Sequence, residues 1–289
     1  MQTLKGVRHL MTSATMKQTV SEFNMPVPWG EMRGKVWGPD RGRPILCLHG
    51  WADNCGTFNT LIPLLPKALQ WKRFSIIGHS MGGNVAGMFS ALYPEMVESV
   101  VLLDSYGFIP TDSKELHTVI RQGFEEMLQF EKKKDEMKEK VYTYENALMR
   151  LLAANPSLSK QSAHILLERG LAQVEGGVVF TRDFRINLKN VVRVSLEQSL
   201  ELQSRIQARV LVVLAEEGFE KMFSEPEQKT FTSTLLQGYK DQSGMVVNVP
   251  GDHHVHLNTP ETVAQIVTDF LQEEAPSHST AEDTQAAKL

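Results

Sequence analysis

Three residue types set far apart in this chain could together carry out acyl transfer. Ser80 lies in Gly78-His79-Ser80-Met81-Gly82, a histidine-rich tract Asp252-His253-His254-Val255-His256 follows much later, and Asp104 closes an apolar run between them. A serine hydroxyl is a weak nucleophile until a base removes its proton. Imidazole is the side chain whose ordinary pKa suits that task near neutrality. A carboxylate can orient the imidazole and stabilise its cation.

The surroundings of Ser80 strengthen this reading. Phe74-Ser75-Ile76-Ile77 precedes the motif and the small residues Gly83-Asn84-Val85-Ala86-Gly87 follow it. That is G-x-S-x-G in a strand–turn–helix context, where the turn is sharp and the serine takes strained dihedrals that lift Oγ above a sheet. Glycines flank it because backbones pass too close for a Cβ. The other reading is a glycine-rich turn with an idle serine, and two further segments separate the two.

Pro44-Ile45-Leu46-Cys47-Leu48-His49-Gly50-Trp51 reads as a short apolar strand broken by His49-Gly50, as expected of a buried parallel strand. Here the chain resembles the α/β-hydrolase family, in which an H-G-x loop after an early strand supplies half of the oxyanion hole. The resemblance implies backbone N–H donors at Trp51 and Met81. Two such preorganised donors are worth a few kcal/mol of barrier.

Near the C-terminus, Met245-Val246-Val247-Asn248-Val249 alternates and is rich in β-branched residues, so it reads as a strand. Pro250 to His256 forms a turn, and Pro260-Glu261-Thr262-Val263-Ala264 opens a helix with Pro at its start. The family's catalytic-histidine loop has G-x-H followed seven residues later by Pro. His253 fits that register, whereas His254 is shifted by one and His256 by three. Metal binding is the alternative for a His-rich tract, but no Cys or Glu cluster with ligand spacing accompanies it. The order Ser…Asp/Glu…His matches the family. Its acid has two locations: Glu217, after the strand Arg209 to Ala215, or Asp104, at the tip of Val100-Val101-Leu102-Leu103. Asp104 is the preferred candidate, since a carboxylate at the C-terminal edge of a parallel strand faces the ligand crevice.

The elements that must hold these groups form an α/β fold with a mostly parallel sheet and a helical lid insertion. The 289 residues, 42% hydrophobic with a net charge of −4, suit one large domain and indicate neither disorder nor a polyanion-binding surface. Nucleic acid is therefore not an expected partner. No apolar run reaches bilayer length. There is no P-loop or dinucleotide fingerprint, so no cofactor and no metal are expected, and Cys47 and Cys55 do not make a disulfide scaffold.

Residues 1–22 read as a flexible extension, 23–272 as one hydrolase domain with the lid at about 105–200, and 273–289 as a flexible tail. Lys5, Arg8 and Lys17 among Ser and Thr give the extension a presequence-like look. The tail ends Ala287-Lys288-Leu289, close to the S-K-L address read by a peroxisomal import receptor. Peroxisome or cytoplasm, or both, is the expected location.

One departure from the family limits the match. Gly78 follows Gly50 by only 28 positions, where the family fits a helix, a strand and a second helix. Leu61 to Leu65 reads as the first helix; one strand and most of one helix are missing. The lost strand lies between an N-terminal hairpin (Pro28-Trp29, then Lys35-Val36-Trp37) and the strand ending at Leu48, so the hairpin loses its partner. The remaining connection must either change face or take the rare left hand. The expected activity is that of a serine hydrolase acting on an ester or thioester. The alternative is a shortened variant that is inactive or unstable. Dehalogenase and epoxide hydrolase chemistry is disfavoured, because those enzymes use Asp where this chain has Ser80.

Overall fold

The computed structural model describes residues 20–28, 30–38, 44–65, 73–134, 140–222 and 225–273. The terminal Ala287-Lys288-Leu289, nearly all of the predicted N-terminal extension and nearly all of the predicted tail fall outside them.

Residues 1–39 and 40–289 are separate compact units. The first holds an antiparallel hairpin, β1 Val20–Val27 and β2 Gly30–Trp37, which form a two-stranded sheet among the described residues.

Among the described residues the second unit is built on a five-stranded, wholly parallel sheet. Its strands are β3 Ile45–Leu48, β4 Phe74–His79, β5 Val97–Leu103, β8 Arg209–Glu217 and β9 Met245–Asp252, side by side in that order. Their apolar residues alternate between two faces. Ile77, Val101, Leu211 and Val213 pack with the C-terminal helix α8 Glu261–Gln272 on one face. Ile76, Val100, Leu102 and Val212 pack on the other against α1 Met81–Leu92, α5 Leu196–Ser204 and α6 Pro226–Asp241.

The links through α1, α5 and α6 each step the same way along the sheet and cross the same face, and such crossovers are right-handed in about 98% of cases. The β3–β4 link steps the same way, and its Phe58, Leu61 and Leu65 lie on the α8 face. The rest of that link, residues 66–72, falls outside the described residues, and the expected choice between a change of face and the rare left hand lies there. The helix predicted at Leu61 to Leu65 is instead one 3-10 turn, Ile62–Leu64, with Leu64 exposed, and a second 3-10 turn, Cys55–Phe58, precedes it.

The predicted helical lid contains α2 Leu116–Lys133, α3 Tyr144–Ala154 and α4 Lys160–Gly170. It also contains a hairpin that was not expected, β6 Leu171–Val174 and β7 Gly177–Phe180. Glu175 and Gly176, the glycine at φ 86°, make its two-residue turn, and Gly177 opens β7 at φ 152°; Glu-Gly-Gly between Val174 and Val178 is the signal that could have revealed it. A four-residue helix, α7 Val255–Asn258, follows β9.

Candidate active site

Ser80 sits between β4 and α1 with φ 51° and ψ −118°. Non-glycine residues rarely adopt that conformation, and they persist in it only where the surroundings enforce it. The enforcement is visible at Gly82, where a Cβ would lie 2.1 Å from the Leu48 carbonyl oxygen. Strand β3 and the first turn of α1 are packed backbone to backbone, which bends the chain sharply at Ser80. Its amide donates to the Leu103 carbonyl at 3.1 Å, while its own carbonyl accepts from Gly83 and Asn84.

The loop after β3 closes on this elbow. A Cβ on Gly50 would come within 3.3 Å of Ser80 Cβ and 2.8 Å of His79 Nδ1. Trp51 follows Gly50 in a turn closed by Asp53 N–H to the Gly50 carbonyl at 3.2 Å. Met81 is the first residue of α1, so its amide is one of the donors a helix cannot satisfy internally. Neither the Trp51 nor the Met81 amide donates a hydrogen bond to a described residue. The Trp51 indole reaches into the lid, where its Nε1–H donates to the Ile186 carbonyl at 2.8 Å.

His253 and Asp104 meet across 149 positions of sequence: His253 Nδ1 and Asp104 Oδ2 are 2.6 Å apart. Asp104 is buried, at 2% exposure, and its backbone φ is 44°. Its carboxylate also accepts from the amides of Ala215 at 3.0 Å and Phe219 at 2.6 Å. A buried charge needs such partners. Phe219 stacks its ring on His253, with centroids 5.3 Å apart. Glu217, the other candidate acid, is exposed and pairs with Lys221 at 3.6 Å. The structure therefore brings Asp104, and not Glu217, to His253. No hydrogen bond joins Ser80 Oγ to His253 Nε2.

A profile of the α/β-hydrolase fold matches residues 67–133, which contain Ser80 and Asp104. A serine hydrolase-like protein of Danio rerio is 51% identical, with 95% of each chain covered. The chain belongs to the α/β-hydrolase family. Human serine hydrolase-like protein 2 is 34% identical to this hydrolase over 88% of its chain and 94% of the human one. A hypothetical protein of Pseudomonas aeruginosa has the same fold, with a TM-score of 0.73 at 25% identity, covering 87% of the hydrolase and 99% of the bacterial chain. The Danio rerio alignment runs over 312 positions, more than the 289 residues of this hydrolase, so that relative carries residues absent here.

The other two histidines of the 253–256 tract turn inward. His256 is fully buried, with Nε2 2.9 Å from Thr57 Oγ1. His254 is buried before α7. Their rings and that of His79 cluster beside His253, with centroids between 4.1 and 6.5 Å apart. Burial holds His79 and His256 well below the usual imidazole pKa and brings His254 down to about 4. Burial also pushes Asp53, whose Oδ2 lies 3.9 Å from His79 Nδ1, up to about 6. Among the described residues no group of three or more His, Cys, Asp or Glu side chains is placed to hold a metal ion.

Next to the Trp51 loop is a cavity of about 210 Å³ walled by Ala52, Asp53, Leu166, Phe180 and Arg182. A larger, open basin of about 650 Å³ at Lys140, Tyr142 and Arg150 contains none of the site residues. Sequence reasoning missed His79, Gly218, Phe219 and the Trp51 indole as parts of the site. Of these, only Gly218 left a trace, as a glycine in the loop where the family usually carries its acid.

Proposed function

We propose that this hydrolase cleaves an ester or thioester through an acyl-enzyme on Ser80. His253 Nε2 takes the proton of Ser80 Oγ as the oxygen bonds to the substrate carbonyl carbon. The Trp51 and Met81 amides receive the developing oxyanion. The tetrahedral intermediate then collapses: the carbonyl reforms, the bond to the alcohol or thiol breaks, and His253 returns the proton to the leaving group. Water, deprotonated by the same imidazole, releases the acid and restores Ser80. Asp104 holds the imidazole in the Nδ1–H tautomer, leaving Nε2 free to accept, and stabilises the cation formed in each half-reaction.

The observation that carries the reading is the 2.6 Å contact between His253 Nδ1 and Asp104 Oδ2, because it orients the base and sets its tautomer. The mechanism requires Ser80 Oγ to close on Nε2 as substrate binds, and catalytic pairs of this kind are commonly long without ligand. A fluorophosphonate probe should modify the wild type at Ser80 and leave Ser80→Ala unmodified. Folded wild-type protein that resists the probe would sink the proposal.

A second reading has one observation in its favour. A β3–β4 link with only two 3-10 turns among its described residues is what removal of a strand–helix unit would leave, so the chain could keep the site residues without activity. It predicts low-temperature unfolding and dye binding to apolar surface. A cooperative melt together with normal probe labelling rules it out.

A further inference from the structure

His79, the unassigned position of the Ser80 motif, lies against both the His253 loop and the Gly50 loop. It ends β4, is 1% exposed and is bonded in sequence to Ser80. Its Nε2 lies 2.8 Å from the His253 carbonyl oxygen. A carbonyl oxygen only accepts, so Nε2 carries the proton and donates. Its Nδ1 faces the Trp51 loop, where a Cβ on Gly50 would come within 2.8 Å. The ring centroid is 4.7 Å from that of His253 and 4.1 Å from that of His256.

One rigid imidazole thus joins the serine elbow, the histidine loop and the oxyanion loop. The last two come from opposite ends of the sequence, and β4 is the element between them. Asp104 restrains the His253 ring from its Nδ1 side. It does not restrain the backbone that carries the ring; the His79 bond to the His253 carbonyl does. We infer that His79 is a positioning residue, whose Nε2–H clamps the His253 carbonyl and thereby sets the approach of the His253 imidazole to Ser80. The catalytic part of this inference rests on the acyl-enzyme reading above, whereas the clamp itself does not.

Histidine 15N spectra of the wild type test the clamp without mutation or activity. His79 must report the Nε2–H tautomer; the Nδ1–H tautomer overturns the inference outright. Substitution tests the consequence. His79→Leu fills the site but cannot donate, and His79→Gln restores an N–H that can reach the same carbonyl.

His79→Leu should lower the maximal rate of Ser80 labelling by about tenfold, the scale of one buried hydrogen bond, with half-saturating probe concentration unchanged. It should also broaden the far-downfield proton shared by His253 and Asp104. His79→Gln should recover both to within about threefold of wild type. Equal loss in the two variants, following their melting temperatures, would leave only a packing role. Wild-type labelling and an unchanged His253 signal in His79→Leu would overturn the positioning role. If the wild type is never labelled, the acyl-enzyme reading fails, while the tautomer and the shared-proton signal still decide the clamp.

Discussion

Gly218 lies flush against Asp104: a Cβ on Gly218 would sit 2.4 Å from each carboxylate oxygen. The amides of Ala215, in β8, and of Phe219, just after Gly218, hold the carboxylate. The acid thus reaches His253 through a gap that only a glycine leaves open. Gly218→Ala should drive the carboxylate off His253, cutting the rate of Ser80 labelling and lowering stability by about 1–3 kcal/mol. Paired labelling and urea-unfolding measurements check both. Unchanged behaviour would mean the loop yields at no cost.

The choice between the two candidate acids can be tested directly. Asp104→Asn places an amide where three N–H groups donate, so His253 loses its orienting charge and its tautomer. Turnover of a reporter ester, or probe labelling, should fall by about 10³–10⁴-fold. Glu217→Gln removes an exposed charge whose partner is Lys221 and should stay within about twofold, since exposed pairs contribute little.

Acid should destabilise the fold through its buried histidines. His79, His254 and His256 have folded pKa values depressed below 6.5. The unfolded chain therefore binds more protons as pH falls below 6.5, and stability drops with it. For His254 the loss continues until pH falls through about 4. Asp53 works in the opposite sense. Its pKa is raised from 3.8 to about 6, so its contribution is present below 3.8 and lost as pH rises through 6. His49, His79 and His253, together with the Thr57 side chain, face this carboxyl group. Three depressed histidines outweigh one raised acid, so the melting temperature should decline from pH 6.5 to 4. His254→Gln should flatten that decline, and Asp53→Asn should raise the melting temperature at pH 7 to 8. A melting temperature that is level across this range would contradict the burial argument.

The Trp51 indole ties the lid to the loop that carries a proposed oxyanion donor. Trp51→Phe keeps the ring and the backbone amide but removes the bond to the Ile186 carbonyl, worth about 1 kcal/mol. Hydrogen exchange should quicken at the amides of Phe184 to Leu188, and Ser80 labelling should slow by a few fold. Faster exchange without slower labelling would show that the lid moves independently of the site.

The strands of the sheet were legible because a buried strand writes itself as an apolar run, as at Ile45–Leu48, Val97–Leu103 and Arg209–Glu217. Ser80 was legible because a glycine-flanked elbow has a local signature, and its positive φ follows from the backbone crowding at Gly82. The helix expected at Leu61 to Leu65 was misread, since its apolar spacing is intact while the room for a full helix is not. The β6–β7 hairpin was missed because the helical periodicity around it dominated the reading.

By itself the sequence determined which groups could react and which strand ends carry them, because strand alternation, glycine crowding and turn chemistry are properties of neighbouring residues. Tertiary structure decided which carboxylate meets His253 and which carbonyl His79 reaches. Those contacts join residues 149 and 174 positions apart. Local periodicity carries no term for such a pairing; it exists only once the sheet has brought the ends of β4, β5 and β9 to one edge.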